Sequence, residues 1–181
     1  VEISRSQIKS VVIQEPQPQI ILFGTQQKYA PFDIPGKLFY LSQGNAMMLD
    51  GNTANRVPVV NTGDLDGRVF TLSDDGQWLL FTRLGDSDEV INTLWAAKIG
   101  DSELDIDLDV ANVIHFAAWE PGSTSSVIYS TVEARQAAPG WQANNDLQVR
   151  NFSVNGWVSR PETIIDTNSG GVYGLSLIHI S

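Results

Sequence analysis

The sequence predicts an all-β chain, a partial β-propeller of about three four-stranded antiparallel blades in an open arc. Three observations carry the prediction. No window sustains apolar residues at i, i+3, i+4 and i+7 for three turns, so helices are not expected. Short apolar runs dominate instead, cut by Gly, Asp, Asn, Ser and Pro at intervals of about 8 to 12 residues. Tyr40, Phe81 and Tyr129 recur in comparable runs at intervals of 41 and 48 residues, the size of a unit built from four strands.

Residues 1–35 read as an extended segment or an incomplete strand. The blades are expected over residues 36–174, divided at about 36–66, 67–111 and 112–170. In the first, Gly36-Lys37-Leu38-Phe39-Tyr40-Leu41-Ser42 reads as a strand and Ala46-Met47-Met48-Leu49 as its neighbour, before a turn at Asp50-Gly51-Asn52. The second is the clearest. Val69-Phe70-Thr71-Leu72 is a strand and Ser73-Asp74-Asp75-Gly76 its turn, because glycine tolerates a left-handed backbone and short carboxylates bond nearby amides. In Gln77-Trp78-Leu79-Leu80-Phe81-Thr82-Arg83, alternation puts Trp78, Leu80 and Thr82 on one face and Leu79 and Phe81 on the other. Both faces are largely apolar, so this strand is expected to be covered on both sides by stacked sheets.

A polar turn is expected over residues 84–88, then a strand ending Leu94-Trp95-Ala96-Ala97-Lys98. Residues 104–110 alternate strictly, directing Leu104, Ile106, Leu108 and Val110 to a core and Asp105, Asp107 and Asp109 to water. The third unit repeats the plan. Residues 113–119 form a strand, Glu120-Pro121-Gly122-Ser123 a turn, and residues 126–131, 147–152 and 163–166 three further strands. Trp78, Phe81, Trp95, Trp119 and Tyr129 are the expected inter-blade core. A three-blade arc leaves two faces for the remaining blades of a longer parent chain, so the chain is expected to be a fragment. Residues 175–181 look like translated sequencing-adaptor read-through and are set aside as an artefactual tail.

Composition narrows the chemistry. The chain has 181 residues, 11 basic against 21 acidic, a net charge of −10 and a pI near 4.4. That balance argues against a nucleic-acid partner, which needs a basic field. No apolar run approaches the roughly 18 residues of a membrane span. The absence of Cys excludes disulfides, thiolate catalysis and Cys-ligated zinc.

Few residues suggest chemistry. Asp105, Asp107 and Asp109 lie about 7 Å apart along one strand face. They can be read as Ca²⁺ ligands or as charged guards of an outer strand, and a straight strand spaces them too widely to converge on one ion. Asp64-Leu65-Asp66-Gly67 and Asp86-Ser87-Asp88-Glu89 read as ordinary turns, since neither continues as a calcium loop. His115 falls inside the strand expected over residues 113–119, where a core histidine is the plainer reading. There is no Gly-x-Ser-x-Gly elbow and no phosphate-binding glycine loop. No catalytic residue, metal or cofactor is assigned. The best binding candidate is the long loop over residues 133–146, with Trp141, Gln142, Asn144, Asn145 and Asp146. An aromatic plate beside amides can stack on a sugar ring or grip a peptide. Alternatively, Trp141 folds back over the sheet edge and the amides cap turns.

Ser73-Asp74-Asp75-Gly76-Gln77-Trp78-Leu79-Leu80-Phe81-Thr82, followed by Leu94-Trp95, is similar to the blade motif of TolB-like, WD-like β-propellers of bacterial envelopes. Asp74 stands where that motif has Pro. The next copy, Trp119-Glu120-Pro121-Gly122, keeps Pro and Gly, and Gln148 replaces the aromatic. Pro139-Gly140-Trp141-Gln142-Ala143-Asn144-Asn145-Asp146-Leu147, with Ser169-Gly170-Gly171-Val172-Tyr173-Gly174, also resembles propellers of this kind. The resemblance implies a non-catalytic binding or scaffolding module for a protein, peptide or glycan, outside the cytoplasm or in the cell envelope. The first rival is the gating propeller of a prolyl oligopeptidase or dipeptidyl peptidase, whose hydrolase domain would lie outside this chain; the second is an unrelated β-sandwich or solenoid, which the strand spacing alone tolerates.

Overall fold

The structure, a computed structural model, describes residues 35–166 apart from Ser102 and Asn144. The expected tail and residues 1–34 lie outside that range, as do Ser169–Gly174 of the resemblance. Among the described residues there is no helix, hence none long and apolar enough to cross a membrane. The fold is all-β, made of several antiparallel sheets, none closed on itself.

The first sheet is a three-stranded meander of β1 (Lys37–Ser42), β2 (Asn45–Asp50) and β3 (Arg56–Val60). β3, which contains Pro58, was not anticipated. The second sheet has four strands in chain order: β4 (Leu65–Leu72), β5 (Trp78–Ser87), β6 (Val90–Lys98) and β7 (Asp105–Ala111). The third runs β8 (Phe116–Trp119), β9 (Ser126–Ser130), then β12 (Leu147–Ser153), whose far edge is shared by β13 (Gly156–Trp157) and β14 (Glu162–Ile165). Between β9 and β12 a separate ribbon pairs β10 (Glu133–Ala134) with β11 (Trp141–Gln142). Among the described residues the three larger sheets therefore contain three, four and five strands.

Burial follows the alternation. Trp78, Leu80, Leu94, Ala96, Leu108 and Val110 of the second sheet pack on Trp119, Val127, Tyr129 and Phe152 of the third. Leu79, Phe81 and Ala97, on the opposite face, pack on Ala46, Val59 and Val60 of the first. The middle sheet is covered on both sides, as expected from β5. Trp95 is half-buried, and the Arg83 guanidinium lies over its ring at 4.4 Å.

Corresponding strands of the second and third sheets sit against one another. Trp119 Nε1 of β8 donates to the Thr71 carbonyl of β4 at 3.4 Å, and Trp157 Nε1 of β13 donates to the Leu108 carbonyl of β7. Equivalent turns are tied as well. The amide of Gly122 donates to Asp74 Oδ2 at 2.7 Å, from one hairpin turn to the next. Within its own turn, Asp75 Oδ1 accepts from the Ser73 hydroxyl (2.6 Å) and the Gln77 amide (3.0 Å). Gly76 takes φ +65°, so the reading of this turn holds for Asp75 and Gly76, whereas Asp74 serves the neighbouring turn instead.

Four local expectations need correction. β5 does not stop at Arg83 but continues to Ser87, pairing with β6, so the turn shrinks to Asp88 and Glu89. Gly85 makes this possible: a Cβ there would stand 1.6 Å from the Val90 carbonyl oxygen. Leu65, Asp66 and Gly67 are not a simple turn but the bulged start of β4, with a register shift between Leu65 and Phe70. On β7, Asp107 and Asp109 are exposed, but Asp105 is half-buried. Asp105 Oδ1 has no hydrogen-bond partner among the described residues, and burial raises its carboxyl above the ordinary 3.8, more than Arg83 offsets. Finally, His115 precedes β8 in a bend rather than lying inside a strand.

Candidate functional site

The β5–β6 turn, the β7–β8 link and the β9–β12 connection meet at one end of the stack. Buried polar side chains bind these segments together. Asn92 is wholly buried on β6, and its side chain pairs with the backbone of Val113 in the β7–β8 link: Nδ2 donates to the carbonyl and Oδ1 accepts from the amide, each at 2.8 Å. The same Nδ2 donates to Asp66 Oδ2 at 2.8 Å, and the Thr82 hydroxyl donates to Asp66 Oδ1. The Asp66 side chain, only 5% exposed, is thus a buried carboxylate with hydrogen bonds to both oxygens. That is the condition under which burying it is tolerated.

Asn112 carries the next layer. With φ +62°, it turns the chain at the end of β7. Its Oδ1 accepts from the Ile91 amide at 2.8 Å, and its Nδ2 donates to the Glu89 carbonyl at 3.2 Å. Its own carbonyl accepts from the Val132 amide at 2.9 Å. One residue therefore fixes the Asp88–Glu89 turn relative to the start of the β10–β11 ribbon. Neither Asn92 nor Asn112 stood out in the sequence, although a lone Asn amid the apolar run of β6 is the type of buried polar group that requires a partner.

The long connection is not a bare loop. Ala134 pairs with Trp141 and Glu133 with Gln142, while the Arg135 amide donates to the Gly140 carbonyl at 2.8 Å. Trp141 is half-buried beside Ile114, Val132 and Ala143, its ring edge-on to His115 at 4.5 Å. Loss of solvent around the His115 imidazole holds its pKa below the ordinary 6.5, with the Arg68 charge adding to the effect. Gln142 is exposed. Asn145 Nδ2 donates to the Thr131 hydroxyl at 2.7 Å, and Asp146 Oδ2 accepts from Thr163 at 3.5 Å. Trp141 and Gln142 are thus neighbours on one strand, Asn145 and Asp146 tie the following segment back to the third sheet, and Asn144 lies outside the described residues.

An open cleft of about 820 Å³ separates the ribbon from the β5–β6 turn, lined by Asp88, Glu89, Ala134, Arg135, Gln136 and Gly140. Arg135 forms an ion pair with Glu133. The walls offer carboxylates, a guanidinium, a primary amide and backbone groups, which suit recognition through hydrogen bonds and charge. Among the described residues no three His, Asp or Glu side chains are grouped to hold a metal ion. No protein family, curated protein or solved structure matches the chain.

Proposed function

We propose that the three sheets are successive blades of a TolB-like, WD-like β-propeller, and that the molecule is a non-catalytic module that binds or scaffolds a protein, peptide or glycan partner in its loop-end cleft. The observation that carries this reading is the cleft between the Asp88–Glu89 turn and the β10–β11 ribbon, whose two walls are anchored by Asn112. Sequential meanders, equivalent strands facing one another across the second and third sheets, and the repeated Gly-containing turn all support a propeller-type repeat. An envelope or extracellular setting goes with that resemblance, and the outer faces of the stack suit further blades of a longer chain.

The test is a screen of the chain on peptide and glycan arrays, followed by titration of the best ligand. The double substitution Arg135→Ala/Gln136→Ala alters exposed cleft residues and is expected to weaken binding at least tenfold with an unchanged melting temperature. Trp141→Ala is expected to lower the melting temperature, because its ring belongs to a small apolar cluster. Undiminished binding by the double variant would move the site elsewhere.

A further inference from the structure

At the opposite end of the stack, a smaller cleft of about 280 Å³ opens between the first and second sheets. Met48, Val59 and Ile99 supply its apolar wall, all three belonging to the cluster that joins those sheets. Lys37, at the start of β1, and Lys98, at the end of β6, stand at the same cleft. They are the only two lysines among the described residues, in a chain whose acidic residues outnumber basic ones 21 to 11. Neither forms an ion pair within 4.0 Å with another described residue, whereas three of the described arginines do. Asp101, exposed in the β6–β7 turn, is the one carboxylate lining the cleft among the described residues.

We propose that this cleft binds a small amphiphilic monoanion, a carboxylate with a compact aliphatic or aryl body. The two ammonium groups supply positive potential beside apolar surface, and a lysine head is a mobile point charge able to meet a carboxylate. The volume of about 280 Å³ suits a compact body, a medium-length chain or one ring. Asp101 sets the charge, since its carboxylate opposes a dianion such as a phosphate monoester more strongly than a monoanion.

The experiment titrates the protein with octanoate, octanol and octylamine, following binding heat and backbone amide shifts. The expected result is saturable octanoate binding that shifts the amides of Ile99 and Gly100, weakens with added salt, and exceeds octanol and octylamine at least tenfold. Lys37→Gln/Lys98→Gln should reduce octanoate affinity at least tenfold and leave the melting temperature unchanged. Equal affinity for octanoate and octanol, undiminished binding by the double variant, or no saturable shift at Ile99 and Gly100 would each overturn the proposal. Displacement of the same amides by an acidic peptide but not by octanoate would overturn it too, making the lysines a protein-docking patch.

Discussion

Phe152 offers the sharpest test of how the second and third sheets are held together. Its side chain is 4% exposed and is ringed by three indoles. Trp78 of β5 meets it edge-on at 4.9 Å, Trp119 of β8 at 5.7 Å and Trp157 of β13 at 6.5 Å. One ring thus links both sheets. Phe152→Ala removes a fully packed aromatic and leaves a cavity walled by rigid tryptophans that cannot collapse easily, so a loss of about 3–5 kcal/mol is expected. Phe152→Leu keeps most of the volume and sacrifices the edge-to-face geometry, at about 1–2 kcal/mol. A double-mutant cycle with Trp78→Leu should return a coupling of about 0.5–1.5 kcal/mol. Equilibrium urea unfolding followed by circular dichroism measures all of these, with the m-value reporting whether the denatured state has changed. A Phe152→Ala loss below about 1 kcal/mol, or additive behaviour in the cycle, would show that this cluster does not couple the sheets.

Four further outcomes can be checked by thermal or chemical unfolding. Arg83 grips Asp64 through two nitrogens, with contacts at 2.8–3.1 Å; Arg83→Lys, which lacks the planar fork, should cost on the order of 1 kcal/mol. Burial raises the Asp64 carboxyl, but the bonds from Arg83 and Thr62 outweigh it and leave the pKa below 3.8. The stabilisation is therefore complete above 3.8 and is lost as pH falls through the lower folded value, so the gap between wild type and Arg83→Met should close in acid. Asp105 has the opposite sign: its folded pKa is raised, so the fold loses stability as pH climbs from 3.8 through that raised value. Asp105→Asn should accordingly raise the melting temperature at neutral pH and lose its advantage below 3.8. Gly85→Ala places a methyl against the Val90 carbonyl and should cost on the order of 2 kcal/mol, with hydrogen exchange accelerating first in the β5–β6 hairpin.

Local chemistry made much of the fold legible. The Ser73–Gly76 turn follows from residues within hydrogen-bonding reach of one another in sequence, and the two-sided burial of β5 follows from apolar residues on both faces of one short run. The same applies to Leu108 and Val110 on β7. Asn92, Asp66 and Val113 could not be linked in this way, because the bonds joining them span 21 and 26 residues, and nothing local indicates which strand lies beside which. β3 escaped notice because its Pro58 removes a ladder donor, and the two-residue strands of the ribbon exist only through their pairing. Gly85 and Asp86 are turn formers by preference, yet the flanking pairs Leu84–Asn92 and Ser87–Val90 hold them within the strand at a register shift.

Sequence alone determined the strand character of this protein, its turns and which side chains face a core, because those depend on backbone preference and a period of two residues. Tertiary structure decided where β5 ends, that Asp105 is half-buried while its neighbours are exposed, and that two distant turns frame a cleft. Those outcomes depend on close approach and desolvation between segments far apart in the chain, and such energies come into being only once the sheets have stacked.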